Sequence, residues 1–173
     1  MKILETARLV LRTIEAADAP FYLELVNDPD FVVHIGDRGI RTLAAARVHI
    51  ENGPVRMQAA LGHAIWLVAR KDSGAAIGMC GLIKRDSLPG VDLGYAFLPA
   101  WRGQGHAFEA ARAVVGYARD TLGLARLLAI TSPDNTASGA LLEKLGLRFD
   151  KIVHLAPEDP GTRLYAMQLC ATG

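Results

Sequence analysis

Apolar and polar residues alternate over Arg8-Leu9-Val10-Leu11-Arg12, which predicts a strand. Asp18 then offers a helix cap with Pro20 in the first turn, and the helix runs to about Val26, ahead of Asn27-Asp28-Pro29. Thr42 caps a second helix, whose apolar positions Leu43, Ala46 and Ile50 keep helical spacing until Asn52-Gly53-Pro54 stops it. Between them Phe31 to Arg41 follows no period and reads as a loop, either a plain surface connection or part of a binding site.

Two apolar runs, Ile65 to Arg70 and Ala76 to Ile83, flank the turn residues Lys71-Asp72-Ser73-Gly74, so they form a hairpin. A second turn at Ser87-Leu88-Pro89-Gly90 returns the chain into Val91 to Leu98. There Val91, Leu93, Tyr95 and Phe97 share one face, and Asp92, Gly94, Ala96 and Leu98 the other. Pro99 lacks an N–H, so this strand must part from a neighbour or lie at an edge. A helix beginning near Phe108 carries the stripe Phe108, Ala111, Val115, Ala118 and Leu122 and ends at Gly123. A buried strand at Leu127 to Thr131 follows, and after Ser132-Pro133-Asp134-Asn135 a helix runs to Leu145, closed by Gly146. The last antiparallel pair is Arg148 to His154 with Thr162 to Leu169. The order β-α-α-β-β-β-α-β-α-β-β predicts one α/β domain over residues 1–173: a mixed, mostly antiparallel sheet with helices on both faces.

The turn Trp101-Arg102-Gly103-Gln104-Gly105-His106-Ala107 changes this from a fold to a site. Two glycines permit positive φ and close approach, Arg102 to Ala107 holds no proline, and a helix N-terminus follows. That combination binds anions, a pyrophosphate above all. No G-x-G-x-x-G or Walker spelling is present, and the turn follows the fourth strand rather than the first, which disfavours a generic nucleotide-binding domain.

Composition narrows the partners. The 173 residues carry a formal charge of +1 with acids and bases interspersed, so no field gathers nucleic acid or an anionic membrane. No apolar run reaches the roughly 20 residues of a span, and the first residues lack a secretory core, which points to the cytoplasm. Cys80 and Cys170 lie in apolar runs and read as reduced buried thiols. Histidines 34, 49, 63, 106 and 154 show no metal-ligand spacing, and no metal is expected.

Arg102 to Ala107 resembles the R/Q-x-x-G-x-G/A signature of the GNAT superfamily of N-acetyltransferases. The wider chain resembles the branch containing the ribosomal-protein alanine acetyltransferases RimJ and RimL. The matching stretches are Glu5-Thr6-Ala7-Arg8-Leu9-Val10-Leu11-Arg12, Asn27-Asp28-Pro29, Asp92-Leu93-Gly94-Tyr95, Asn135-Thr136-Ala137-Ser138 and Glu143-Lys144-Leu145-Gly146. The resemblance implies acetyl-CoA as co-substrate and an amine acceptor, a peptide N-terminus or a small molecule, that attacks the thioester directly. It also leaves a homodimer possible.

By the same resemblance, amides of Gly103, Gly105, His106 and Ala107 hold the pyrophosphate, with Arg102 and Gln104 adding backbone and side-chain contacts. Phe97 and Leu98 pair with pantetheine in a gap bounded by Leu127 to Ile130, and Asn135 bonds pantetheine or simply caps its helix. Many relatives place a tyrosine at L-Y-E-K-x-G-F to protonate the leaving thiolate; this chain has Leu142 there, and Ser138, one turn earlier, is the substitute or an N-terminal cap. Asp92 is the nominated base, alternatively a structural partner of an arginine, and His63 is a second candidate. An α-amine near pKa 8 is roughly a tenth neutral at pH 7 and a lysine below about a thousandth, so a weak base suits an α-amine. Loops Phe31 to Arg41 and Leu155 to Gly161 shape the acceptor site. The missing tyrosine also admits a non-catalytic acyl-CoA-binding module.

Overall fold

Eight strands build one sheet in the order β1-β2-β3-β4-β5-β6-β8-β7. The computed structural model describes residues 1–170; the expected domain ends at Gly173, and its last three residues lie outside the described ones. The strands are β1 Lys2–Glu5, β2 Leu9–Arg12, β3 Ile65–Arg70, β4 Ala76–Lys84, β5 Val91–Phe97, β6 Arg126–Thr131, β7 Arg148–Val153 and β8 Thr162–Gln168. Neighbours are antiparallel except β5 and β6, which run parallel. The helices are α1 Ala19–Val26, α2 Pro29–His34, α3 Leu43–Ile50, α4 Arg56–Leu61, α5 His106–Asp120 and α6 Thr136–Leu145. The mixed sheet with helices on both faces is therefore as expected.

Alternation along the strands sorts side chains into two cores. Leu9, Leu11, Trp66, Val68, Leu93 and Phe97 face α5 and α6. Leu67, Ala69, Met79 and Leu98 face α1 to α3 through Tyr22, Leu25, Phe31 and Ile50. Beyond β5 that second face carries no helix among the described residues; Leu88 and Leu155, from loops, cover Leu128 and Leu164.

Five expectations need correction. Lys2–Glu5 is a strand paired with β2, too short to show a period. Part of the expected loop Phe31 to Arg41 is α2, whose N-terminus Asp28 caps by accepting from Phe31 N and Pro29 begins. Asn52-Gly53-Pro54 does not stop the helical path: Glu51–Val55 widens into a π-turn, which tolerates Pro54, and α4 continues to Gly62 at φ +76°. On α5 the buried stripe includes Ala110 and Val114, while Phe108 is half-buried beneath Lys144 Nζ at 4.2 Å. Cys80 is buried, and burial pushes its thiol up; Cys170 is exposed instead. Among the described residues no helix is long and apolar enough to cross a membrane.

Candidate active site

After β5 the chain makes a 3-10 turn at Pro99–Trp101 and then two left-handed glycines, Gly103 at φ +72° and Gly105 at φ +82°. These angles strain any L side chain, which explains glycine at both positions. Gly105 is also the N-cap of α5 and so supplies no capping side chain. The N–H groups of His106, Ala107 and Phe108 have no intrahelical acceptor by geometry. The N–H groups of Gly103, Gln104 and Gly105 donate to no backbone carbonyl among the described residues. Six consecutive main-chain donors thus remain available at the positive end of a fifteen-residue helix, which fits a pyrophosphate.

Side chains around the loop hold it rather than fill it. The His106 ring is buried, with Nδ1 3.2 Å from the Trp101 carbonyl and Nε2 3.0 Å from Arg70 Nη1. Gln104 Nε2 donates to the Ala100 carbonyl at 3.0 Å. Arg102 departs from its expected side-chain role: Nε donates to the Phe97 carbonyl, and Nη1 and Nη2 lie 2.6 Å from Asp30 and Asp28. Its fork is spent on protein acceptors. Arg8 is the cation sequence reasoning missed here. Its Nη1 donates to the Gln104 carbonyl at 3.0 Å, and Nη2 would lie 3.3 Å from a Cβ placed on Gly105.

Above the loop β5 and β6 splay apart. They share one register position, Asp92 with Leu128, whereas β4 and β5 share seven. Pro99 and the parallel direction together explain the opening. Leu98 offers no N–H to a molecule in this gap, because that N–H donates to Ile77 at 2.9 Å; its carbonyl accepts from Trp101. Phe97, one step earlier on the pleat, turns its main chain the other way; its carbonyl takes Arg102, leaving its N–H.

On the α6 side of the opening, polar atoms gather in an otherwise apolar face. The Tyr95 hydroxyl lies 2.6 Å from Ser138 Oγ. Thr131, on the same face as Leu127 and Ala129, is 6% exposed, and its Oγ1 has no hydrogen-bond partner among the described residues. Asn135 accepts from Ser138 N at 3.2 Å, the capping role, while no partner of its side-chain amide is seen among the described residues. Leu142 is buried in the core.

The opposite side is bordered by α2 and by the loop Leu155 to Gly161, drawn tight by Asp159, which accepts from Leu155 N, Gly161 N and Thr162 Oγ1. His34 Nδ1 on α2 meets Ser132 Oγ, just beyond β6, at 2.9 Å. With Arg102 bound to Asp28, α2 therefore touches both lips of the splay. Asp92 sits at the closed apex, fully buried, with Arg85 Nε at 3.1 and 3.3 Å. Burial raises its pKa more than Arg85 lowers it. His63 is buried, its Nδ1 2.9 Å from the Leu82 carbonyl. A separate groove of about 430 Å³ between Ile14, Pro54, Val55 and Trp66 lies along β3, with β4 between it and β5. No cluster of metal-ligating groups occurs among the described residues.

Residues 8–148 match the model of the acetyltransferase (GNAT) domain. The uncharacterized N-acetyltransferase YoaA of Bacillus subtilis (strain 168) is 30% identical over 162 residues, which is 92% of this chain and 90% of that protein. The crystal structure of the acetyltransferase from Agrobacterium tumefaciens str. C58 is 28% identical, covers 96% of this chain and 94% of its own, and superposes with a TM-score of 0.80. RimL, a ribosomal L7/L12 alpha-N-protein acetyltransferase in complex with coenzyme A, shares the fold at a TM-score of 0.82, with 15% identity over 98% of each chain.

Proposed function

The chain belongs to the GNAT acetyltransferase family, and on that premise we propose that its sheet forms one acyl-CoA-dependent N-acetyltransferase domain that carries an acetyl group from acetyl-CoA to a primary amine. The observation that carries this reading is the run of uncommitted amides from Gly103 to Phe108 directly below the β5/β6 splay. Those amides and Arg8 would hold the pyrophosphate, and Phe97 N–H, Asn135 and Thr131 Oγ1 would face the pantetheine arm. When bound, acetyl-CoA supplies the thioester; the chain supplies position and charge.

The same geometry bears on the acceptor. Asp92 is sealed against Arg85, and His63 is bonded to the chain, so neither presents an open base to the splay. An amine that is partly neutral at pH 7 needs little help, which favours an α-amine over lysine. We therefore place the chain with the RimJ/RimL-like branch, with a peptide N-terminus or small α-amine as acceptor. The acceptor enters between α2 and the loop Leu155 to Gly161. The outer strand β7 leaves Phe149 and Ile152 exposed, which supports pairing with a second copy. Two free cysteines suit a reducing, cytoplasmic setting.

Calorimetry with coenzyme A, followed by thiol release from acetyl-CoA over a panel of α-amines and lysine peptides, tests the reading. Micromolar binding with turnover on α-amines is the expected outcome. Binding without turnover on any amine would mark a binding module, and no binding would remove the proposal altogether.

A further inference from the structure

On the second face of the sheet, beside the splay, one arginine is held firmly while the end of its side chain stays uncommitted. Arg85 follows β4, and its carbonyl accepts from Lys84 Nζ at 2.8 Å and from Leu88 N at 3.3 Å. Leu88 is buried with Leu128 and Leu164, so the turn is anchored to the core. The side chain meets Asp92 through Nε alone, at 3.1 and 3.3 Å. Nη1 and Nη2 have no hydrogen-bond partner among the described residues. The other arginines paired with a carboxylate among those residues all engage a protein acceptor through an Nη nitrogen, as Arg12 does at Asp18 and Arg102 at Asp28.

This fork belongs to the apex of the splay. Asp92 is the one residue of β5 in register with β6, and beyond it the strands part. From Asp92 the same face of β5 continues through Gly94 and Ala96, both partly exposed, and Ile130 of β6, also partly exposed, continues it across the gap. No helix covers this strip among the described residues; α2, through His34 at Ser132, and the loop Leu155 to Gly161 border its far end. An acceptor entering between α2 and that loop therefore has the splay beside it and Arg85 ahead of it. We propose that Arg85 sets acceptor specificity: its Nη pair takes a carboxylate that the substrate carries within one residue of its α-amine. This rests on the acyl-CoA reading above and narrows its acceptor to an acidic peptide N-terminus or a small amine bearing a carboxylate.

Charge and shape both favour a carboxylate. The N–H groups of a guanidinium match both carboxylate oxygens, and such charge-assisted bonds are about twice as strong as neutral ones. Because Arg85 is already fixed by its turn and by Asp92, gripping a ligand orders little more of the chain. Asp92 offsets the cation only in part, since burial disfavours its charged form more than Arg85 favours it. Of the neighbouring charges, Lys84 commits its ammonium to the carbonyls of Arg85 and Leu88, and Asp86 is exposed with no bond to Arg85 among the described residues. The strip from Asp92 to Phe97 is about 16 Å long at strand spacing, so amine and carboxylate must be near neighbours to share it with a pantetheine arm at Phe97.

Steady-state kinetics with acetyl-CoA and two matched pairs of dipeptide amides test this: Ala-Glu against Ala-Gln, and Asp-Ala against Asn-Ala. The C-terminal amide leaves the side chain as the sole carboxylate. In at least one pair the wild type should show a KM about tenfold to a hundredfold lower for the acidic member, with a similar kcat. Arg85→Gln should bring that KM ratio to within about twofold of one, and Arg85→Lys, which keeps the charge but loses the fork, should retain only part of it. Arg85→Gln leaves the buried Asp92 carboxylate without its cation, so the double variant Arg85→Gln with Asp92→Asn, in which no charge is stranded, repeats the measurement. A wild type that treats the members of both pairs alike, while acetylating the neutral ones, would overturn the proposal and leave the acyl-transfer reading standing. A preference that survives in both the single and the double variant would belong to another cation and overturn it as well. Failure to acetylate any of the four peptides would also overturn it, and coenzyme A calorimetry would then show whether the cofactor reading falls with it.

Discussion

Arg102 Nη2 lies 2.6 Å from Asp28 Oδ2, and through this contact the glycine loop before α5 is fastened to α2. Asp28 is buried and also caps α2 by accepting from Phe31 N at 3.2 Å. Asp28→Asn keeps the cap but removes the charge. We expect about 1–3 kcal/mol lower stability and a raised KM for the amine, with coenzyme A affinity changed less than about threefold. Thermal melts and steady-state kinetics read both. Equal losses for cofactor and amine would show that α2 serves no separate acceptor role.

Gly105 combines φ +82° with close approach to Arg8, and its missing side chain leaves the helix donors open. Gly105→Ala should cost about 1–2 kcal/mol from the backbone alone. Coenzyme A affinity should fall at least about tenfold in calorimetry, because the loop must shift or Arg8 must leave. Unchanged affinity would remove this loop from the cofactor site.

Glu109 ties the start of β2 to α5. It accepts from Thr6 Oγ1 at 2.6 Å, Arg8 N at 2.8 Å and Arg8 Nε at 2.6 Å. Burial works to raise its pKa, but the bonds from Thr6 and Arg8 outweigh it and the net direction is downward. With the folded pKa depressed, the unfolded chain takes up the proton first. The stabilisation is therefore complete above the unfolded value, about 4.3, and disappears as pH falls through the folded one. Glu109→Gln should lose about 1–3 kcal/mol near pH 7, and the gap to wild type should narrow below about pH 4 in urea titrations. A gap independent of pH would contradict the assignment.

Leu142 fills the core between α6 and the sheet, at 1% exposure. Restoring the family spelling by Leu142→Tyr inserts a ring into that space and should destabilise the chain by about 1–3 kcal/mol. It should not raise kcat, because the first turn of α6 already receives Tyr95. A faster enzyme would show that the site lacks a hydroxyl that Leu142 displaces.

Much of this molecule is written in local pattern. The hairpin of β3 and β4 was legible from alternation around Lys71 to Gly74, the pairing of β7 with β8 from two strand runs, and α6 from Asn135 and Gly146. The glycine loop was legible too, because left-handed φ and free amides are properties of a few consecutive residues. Expectation failed where the signal was short or where neighbours overrode it: β1 has four residues, α2 is a six-residue helix fixed by its cap, and Pro54 is absorbed by a π-turn.

Partnerships were decided only by the tertiary structure. Sequence named Arg102 as a phosphate ligand and put Tyr95 only on one face of its strand, but the fold commits Arg102 to Asp28 and Asp30 and brings Tyr95 to Ser138, 43 positions away. The nominated Asp92 met Arg85, the alternative already open for it, and His63 met a carbonyl. Secondary structure follows from the chain's own spacing, and so it can be read in order. Which side chain consumes another's hydrogen-bonding capacity depends on distant segments meeting at fixed distances, and that is set only when the two faces of the sheet are packed.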